Sequence, residues 1–243
     1  MTSWSHSQYA LALQCLRKYK YVYVDKLEPE GLESADLAFG TALHTAIHAA
    51  LTGQDSDTIF RISWAGYLDN VEFGRFSHAQ LLELGLGFLA KFTRTYASKF
   101  EPKLMESRLY GEYRGIKLEG TPDFFGLYEG EMTLADWKTT GTNYHKDKAL
   151  SGLQLYLYAY LGIQNGFDAP RQLLYLPFNK GLGSIQRPVV VPFSESDMIK
   201  ALDNMVDYIE SMDTTKYPAN YGSCFGYNKQ CEYFSRCFPK EDK

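Results

Sequence analysis

The chain lacks any hydrophobic run long enough to cross a membrane, and it lacks an excess of positive charge. Its 25 lysines and arginines are outnumbered by 29 aspartates and glutamates, so the formal net charge is -4 at pH 7. Nothing resembling a secretory signal precedes the first cysteine, and no G-x-x-x-x-G-K-[ST] phosphate loop occurs. We therefore expect a soluble cytoplasmic protein with no membrane partner, which neither drives an ATP-dependent motor nor coats nucleic acid through overall basicity.

Cysteine is scarce as well, and its distribution is uneven. There are four: Cys15 near the start, then Cys224, Cys231 and Cys237 near the end. Four thiolates suit a zinc ion or an iron-sulfur cluster. Zinc sites usually pair ligands two to four residues apart, whereas six and five residues separate the neighbours here. Disulfides are disfavoured because a chain of 243 residues can bury a sizeable core without them.

Two aspartates and a lysine lie close together in the middle of the chain. Asp123 follows Gly-Thr-Pro, and Asp136 and Lys138 flank a tryptophan. Residues 124–135 predict two strands joined by a turn at 129–131, and such a hairpin returns Asp136 to the neighbourhood of Asp123. Residues at i and i+2 of a strand face the same side, so Asp136 and Lys138 share a face. The pattern predicts a patch with two carboxylates and one ammonium group.

This combination of groups suits phosphodiester hydrolysis. Hard cations such as Mg²⁺ and Mn²⁺ prefer carboxylate oxygens and keep several waters, one of which becomes the nucleophile. A lysine beside them can orient that water or stabilise the pentavalent oxyanion. The alternative is that Asp123 is an ordinary turn residue after a proline and that Asp136 and Lys138 form a surface ion pair.

Two pairs of polar residues are spaced one helical turn apart. His44 and His48 lie on a segment rich in alanine, and Gln154 and Tyr158 lie on a predicted helix at 149–162. The members of each pair share a helix face. Taken alone, such residues more often serve packing or surface roles than ligation.

Taken in order, these motifs resemble the PD-(D/E)XK nucleases of the RecB-like exonuclease branch. The resemblance covers much of the chain and rests on four motifs: 120–123 (Gly-Thr-Pro-Asp), 134–139 (Leu-Ala-Asp-Trp-Lys-Thr), Gln154 with Tyr158, and 40–44 (Gly-Thr-Ala-Leu-His), which is similar to the G-x-x-x-H helix motif of this branch.

The resemblance implies a role for each matching residue. It assigns Mg²⁺ or Mn²⁺ to four ligands: His44, Asp123, Asp136 and the backbone carbonyl of Trp137. It makes Lys138 catalytic, while Gln154 and Tyr158 support the active site and the DNA. Glu106 sits where relatives often carry an additional acid, and this match is the weakest.

The cysteines resemble the iron-sulfur members of the same branch, which include CRISPR-adaptation nucleases. One distant N-terminal cysteine followed by a C-terminal triplet implies a [4Fe-4S] cluster held by Cys15, Cys224, Cys231 and Cys237, with Zn²⁺ as the alternative. Relatives often have a two-residue gap where this chain has six residues between Cys224 and Cys231. Such a cluster would join the two ends of the chain, so its binding free energy would become folding free energy.

The expected fold class is α/β. We predict helices at 3–20, 39–52, 56–70 and 78–100, a meander of strands at 104–113, 116–127 and 132–139, a helix at 149–162, strands near 171–178 and 185–192, and a helix near 194–211. This order fits a restriction-endonuclease-like mixed sheet flanked by helices, with the site at the sheet's edge and the termini joined by the four-cysteine cluster. We expect a single nuclease domain over 1–243, with a mainly helical part at 1–100, the nuclease core at 101–212 and a cysteine-rich tail at 213–243.

The predicted activity is that of a Mg/Mn-dependent deoxyribonuclease, an exonuclease that acts on single-stranded DNA or DNA ends. Tyr19, Tyr21 and Tyr23 alternate with nearby cations and would stack on bases, although such a charge run also suits a solvated face. Two other functions stay open. One is an end-processing subunit with protein partners in recombination, repair or CRISPR adaptation; the other is a non-catalytic nucleic-acid-binding iron-sulfur protein. The compact size is compatible with a viral or prokaryotic origin.

Overall fold

A computed structural model describes residues 3–147, 152–226 and 229–239. Its helices are α1 (His6–Gln14), α2 (Leu16–Tyr19), α3 (Ala35–Leu51), α4 (Ser56–Ala65), α5 (His78–Thr95), α6 (Leu153–Gln164), α7 (Glu195–Ser211) and α8 (Phe234–Cys237). Its strands are β1 (Glu33–Ser34), β2 (Val71–Glu72), β3 (Phe100–Leu104), β4 (Leu109–Tyr113), β5 (Ile116–Gly120), β6 (Phe124–Tyr128), β7 (Glu131–Thr140), β8 (Gln172–Asn179), β9 (Ser184–Ile185) and β10 (Val189–Pro192).

The main sheet is mixed, in the order β10-β8-β7-β6-β3, with β9 also paired to β8. Strand β7 runs parallel to β8 and antiparallel to β6. The predicted hairpin is confirmed: Phe124 pairs with Ala135, and the turn at Glu129 and Gly130 has φ of 52° and 83°, the left-handed pair of a tight hairpin turn. The site was expected at the sheet's edge, and this is wrong, because Asp136 lies on β7, which has a strand on each side.

Helices cover both faces of this sheet, which confirms the predicted mixed α/β architecture. Alternate residues of the central strands point to opposite faces: Phe124 and Trp137 pack with α3, α4 and α5, whereas Phe125 and Leu134 pack with α6 and α7. The two apolar layers bury β7 on both sides. Rigid packing of this kind fixes the direction of every side chain on the strand.

The predicted meander is wrong in its middle part. Predicted strand 104–113 is interrupted after β3, where Glu106 adopts a left-handed φ of 48°, and predicted strand 116–127 is interrupted before β6 by Pro122. Strands β4 and β5 pair with each other as a separate two-stranded sheet. Likewise, predicted strand 185–192 is divided into β9 and β10. The interruptions bring the loop at Glu106 and the loop at Pro122 together, since the Glu106 N–H donates to the Pro122 carbonyl at 3.0 Å.

The N-terminal helix is shorter than predicted. Ser5 caps α1, because Ser5 and Gln8 form a capping box. Helix α1 ends at Cys15, whose extended backbone (φ -163°, ψ 110°) separates it from α2. The start of the helix predicted at 149–162 lies outside the described residues, and α6 continues that prediction to Gln164. Among the described residues, no helix is both long enough and apolar enough to span a bilayer.

Candidate active site

The two aspartates predicted to act together are neighbours. The β6–β7 register places Asp123, at the end of the Pro122 loop, beside Asp136 on β7. The Trp137 backbone N–H donates to Asp123 Oδ2 at 2.7 Å. Asp123 is 9% exposed and Asp136 is 2% exposed. Burial of this degree excludes the alternative reading of an ordinary turn residue and a surface ion pair, because isolated carboxylates are rarely buried.

His44 approaches this pair from α3, and Glu106 approaches from the loop after β3. His44 Nδ1 lies 3.3 Å from Asp123 Oδ1. Glu106, His44 and Asp123 each present a ligand atom, and these three atoms lie within 4.8 Å of one another. The left-handed backbone of Glu106 costs free energy in a non-glycine residue. Strain of this kind at a carboxylate facing two other ligands is typical of a functional site.

This three-residue group overlaps with the predicted metal-binding set, which stays a prediction. Glu106, the weakest match, belongs to the group within 4.8 Å, while Asp136 is not a member of it. Nitrogen from one histidine and oxygens from carboxylates suit Mg²⁺ or Mn²⁺. The Trp137 carbonyl stays a predicted ligand; the contact of Trp137 with the site is its N–H bond to Asp123. His48 lines the same 430 Å³ cavity as His44 and Glu106.

Lys138 is held in place by three partners. Its ammonium lies 2.7 Å from Asp136 Oδ2, donates to Gln154 Oε1 at 2.7 Å, and lies 5.8 Å from the centre of the Tyr175 ring. Gln154 Nε2 in turn donates to the Tyr158 hydroxyl at 3.2 Å. The structure thus links the predicted catalytic lysine to both predicted supporting residues.

Gly120 explains how Tyr158 reaches this position. A Cβ added at Gly120 would lie 2.6 Å from the Tyr158 ring, so only glycine lets α6 and β5 approach this closely. The glycine of the Gly-Thr-Pro-Asp motif therefore has a packing role that complements the carboxylate three residues later.

The charges of the site favour proton uptake by its members when no cation is present. Burial and nearby Asp123 raise the pKa of Glu106 to about 7. Burial raises the pKa of Asp136 to about 6, against the opposing effect of Lys138. Burial lowers the pKa of His44, but Asp123 outweighs it and the result is a pKa of about 9. Carboxylates this close together are stabilised in their charged form by a nearby cation, and this is the electrostatic property expected of a metal site.

Two further residues of the site were not found by sequence reasoning. Burial and the Lys138 ammonium lower the pKa of His6 to about 4, so His6 is neutral at pH 7 near that lysine. Tyr175 forms the surface beneath Lys138. The Ser5 to Gln8 capping box could have marked the helix start beside His6, whereas no local pattern distinguishes Tyr175 from other buried tyrosines.

We expect the metal-free protein to lose stability as the pH rises from 6 to 9. His44 has a folded pKa of about 9 against an ordinary value of 6.5, so its contribution is complete below pH 6.5 and is lost as the pH rises through 9. The contribution is about 3 kcal/mol. Urea unfolding in EDTA at pH 6, 7.5 and 9 measures it.

His48→Gln is the matched control for His44→Gln, because His48 lies one turn along the same helix. Loss of stability between pH 6 and 9 should shrink in the His44 variant and persist in the His48 variant. Equal pH profiles in both variants would contradict the ion pair. Added Mn²⁺ should stabilise the wild type more at pH 9 than at pH 6, because ligands must lose protons to bind it.

The four cysteines lie in two segments from opposite ends of the chain, and these segments contact each other. All four are free thiols, so the disulfide alternative is not supported. Cys15 Sγ accepts from the Asn220 N–H at 3.4 Å, and the Cys231 N–H donates to the Cys224 carbonyl at 2.8 Å. Burial, followed by the proximity of Cys237 and Cys15, raises the pKa of Cys224. The fold therefore brings the N-terminal cysteine to the C-terminal segment.

The contacts around the cysteines hold the two ends of the chain together. Lys18 and Glu232 form an ion pair at 2.9 Å, and the Arg17 Nε donates to the Tyr217 carbonyl at 3.1 Å.

Two buried carboxylates, a histidine and a lysine lie around the central strand of a mixed sheet, and groups of these kinds suit metal-dependent hydrolysis. The family model of the PD-(D/E)XK nuclease superfamily matches residues 3–238. The chain belongs to the PD-(D/E)XK nuclease superfamily.

One solved structure agrees on the fold. A crystal structure from Eubacterium rectale, provisionally described as an exonuclease, has a TM-score of 0.56 and 13% identity, and the alignment covers 86% of this chain and 79% of that one. A second structure, SSO0001, has 13% identity and a TM-score of 0.35 over 94% of this chain and 96% of that one, which is too distant to bear on the fold. No curated protein sequence matches the chain.

Proposed function

We propose that the protein is a metal-dependent DNA exonuclease of the RecB-like branch, acting on single strands or DNA ends. The observation that carries this proposal is the group of His44, Glu106 and Asp123, whose ligand atoms lie within 4.8 Å of one another, next to Lys138, which is paired with Asp136. A bound divalent cation can supply a nucleophilic water, and a positioned ammonium group can stabilise the charge that develops on the phosphate, so together they suit phosphodiester hydrolysis at neutral pH.

Each residue of the site has a separate role in the proposed reaction. His44, Glu106 and Asp123 would hold the cation. Asp136 would act either as a further ligand of the cation or as the negative charge that keeps Lys138 protonated. A divalent cation here would supply a nucleophilic water and neutralise charge on the phosphate. Lys138 donates to the attacking water or to the phosphate oxygen that gains charge. Gln154 and Tyr158 restrict the movement of the lysine, so its geometry is set before substrate binds.

We further propose that Cys15, Cys224, Cys231 and Cys237 bind a [4Fe-4S] cluster. Free thiols at both chain ends and the contact of Cys15 with Asn220 support a shared metal site, and the resemblance to iron-sulfur nucleases favours the cluster over Zn²⁺. Its first function would be structural, because it would join residue 15 to the segment after residue 223.

The end-processing subunit of a recombination, repair or CRISPR-adaptation complex stays a second candidate, because it would use the same residues. The non-catalytic adaptor is less well supported. An adaptor has no need for buried carboxylates and a paired lysine, whose desolvation is costly unless they bind something.

Cleavage of end-labelled DNA by the purified protein tests the proposal. We expect Mn²⁺- or Mg²⁺-dependent shortening of single-stranded and duplex oligonucleotides, abolished by EDTA, and blocked when the end that the enzyme enters is capped. Blocking the 5′ and 3′ ends separately reads the polarity. Cleavage of a covalently closed circle at the rate of a linear strand would contradict an exonuclease. Absence of any cleavage by the isolated protein would favour the subunit alternative.

A further inference from the structure

A cavity of about 310 Å³ opens on the side of the active site that faces α1 and β5. We name it the α1–β5 cavity. The residues that matter to its chemistry are His6, Tyr23, Arg108, Glu119, Thr121 and Tyr158. Among these residues, only Tyr158 takes part in the contacts that hold Lys138. None of them belongs to the candidate metal ligands.

The cavity is continuous with the catalytic residues. Tyr158 lines it and also accepts the hydrogen bond from Gln154, which holds Lys138. Thr121 lies two residues before Asp123, in the same loop. The 430 Å³ cavity of His44, His48 and Glu106 also borders the candidate metal ligands. A strand whose phosphate occupies the active site would therefore have the α1–β5 cavity next to it, beside Tyr158.

The walls of the α1–β5 cavity are held in place without a ligand. The Trp4 N–H donates to the Lys117 carbonyl at 2.8 Å and the Glu119 N–H donates to the Trp4 carbonyl at 2.9 Å. The Trp4 ring stacks on Tyr19 at 5.1 Å. These contacts fix α1 against β5, so the cavity requires no rearrangement before it is filled.

The side chains that line the α1–β5 cavity include a cation, a carboxylate and aromatic rings. The Arg108 guanidinium is exposed and, within the described chain, makes no hydrogen bond or ion pair. Glu119 contributes a carboxylate, which accepts from the Ser3 hydroxyl at 2.9 Å. Tyr23 and Tyr158 contribute aromatic rings. One free cation suits a single phosphate, a carboxylate disfavours a run of phosphates, and aromatic rings suit a base.

We propose that the α1–β5 cavity binds one nucleotide of the cleaved strand, adjacent to the scissile phosphate. Arg108 contacts the phosphate of this nucleotide, Glu119 accepts hydrogen bonds from its sugar or base, and Tyr23 packs against the base. The proposal rests on the proposed nuclease function and identifies Arg108 as a substrate-positioning residue. The volume of the α1–β5 cavity also suits one nucleotide, because cavities that bind small ligands begin at about 300 Å³.

Three variants of the full-length protein test the role of Arg108. Arg108→Gln should raise KM for a short single-stranded oligonucleotide about tenfold and leave kcat within about twofold, because the contact is made equally in the bound and transition states. The salt dependence of binding should fall by about one phosphate contact. Arg108→Lys should recover part of the loss. Arg61→Gln, an exposed arginine on α4 outside the cavity, removes the same charge and should change neither constant.

A second measurement separates failure of this proposal from failure of the nuclease assignment. Calorimetric binding of thymidine 5′-monophosphate in EDTA does not depend on cleavage, and Arg108→Gln should weaken it at least about tenfold while Arg61→Gln does not. If the wild type cleaves DNA but Arg108→Gln changes neither KM nor nucleotide binding, the cavity proposal is overturned and the nuclease stands. If inorganic phosphate binds as tightly as the nucleotide, or if only kcat falls, the one-nucleotide site is overturned. Nucleotide binding through Arg108 without any DNA cleavage would support the cavity and contradict the nuclease.

Discussion

Asp136→Asn should lower the proposed metal-dependent DNA cleavage by about a hundredfold to a thousandfold. The change removes the charge 2.7 Å from the Lys138 ammonium and the carboxylate next to the metal ligands, and loss of one such electrostatic group typically costs a hundredfold to a thousandfold in rate. Steady-state cleavage of a labelled strand in Mn²⁺ measures the effect.

The same substitution should leave folding nearly intact. Burial raises the pKa of Asp136 to about 6, so the folded state disfavours its charge, and a neutral amide of the same shape avoids that cost. We expect a melting temperature in EDTA equal to or above that of the wild type. Stability that falls together with activity would indicate a structural role.

Asp207→Asn is the matched control. Asp207 forms an exposed ion pair with Arg114 at 2.7 Å on α7, so this variant makes the same chemical change at a surface site where ion pairs contribute little. It should cleave at the wild-type rate. Wild-type cleavage by the Asp136 variant would remove Asp136 from the mechanism.

Cys224→Ser should prevent binding of the proposed [4Fe-4S] cluster and destabilise the junction of the two chain ends. Cys224 is buried, and Cys237 and Cys15 lie close enough to raise its pKa further. Losing one of four thiolates should abolish the broad absorbance near ~400 nm that thiolate-bound iron produces. Because cluster binding contributes to folding, the melting temperature should fall by about 10 °C or more.

Ser223→Ala is the control for this variant, because it removes an adjacent hydroxyl and leaves the thiols in place. It should retain the colour and most of the stability. Metal analysis of the wild type distinguishes the cofactors: iron and sulfide support the cluster, whereas colourless protein with one zinc would replace the [4Fe-4S] assignment. Wild-type protein with neither metal, and with the stability of Cys224→Ser, would overturn both.

The hairpin of β6 and β7 was predictable because its signals are local. A turn with a glycine at 130 between two apolar segments sets the register, and the register alone brings Asp123 to Asp136 and puts Lys138 on the face of Asp136. His44 was predictable only through its resemblance to a family motif, since a histidine on an apolar helix is usually a packing residue.

Glu106 shows where local reasoning fails. Its position depends on a left-handed backbone and on a hydrogen bond to Pro122, 16 residues away. The continuous strand predicted through this segment assumed ordinary extended backbone. The interruption is what turns the Glu106 carboxylate toward His44 and Asp123.

The sequence by itself determined the kinds of group present and their order: carboxylates, one lysine, one histidine motif, a glutamine-tyrosine pair and four cysteines divided between the two ends. Periodicity and turn residues also determined the alternation of helices and strands. Only the tertiary structure decided that Glu106 lies beside His44 and Asp123, that Asp136 pairs with Lys138, and that His6 and Arg108 line one cavity with Tyr158. These outcomes depend on contacts between segments far apart in the chain, whose free energy arises from burial and close packing and leaves no periodic signal in the sequence.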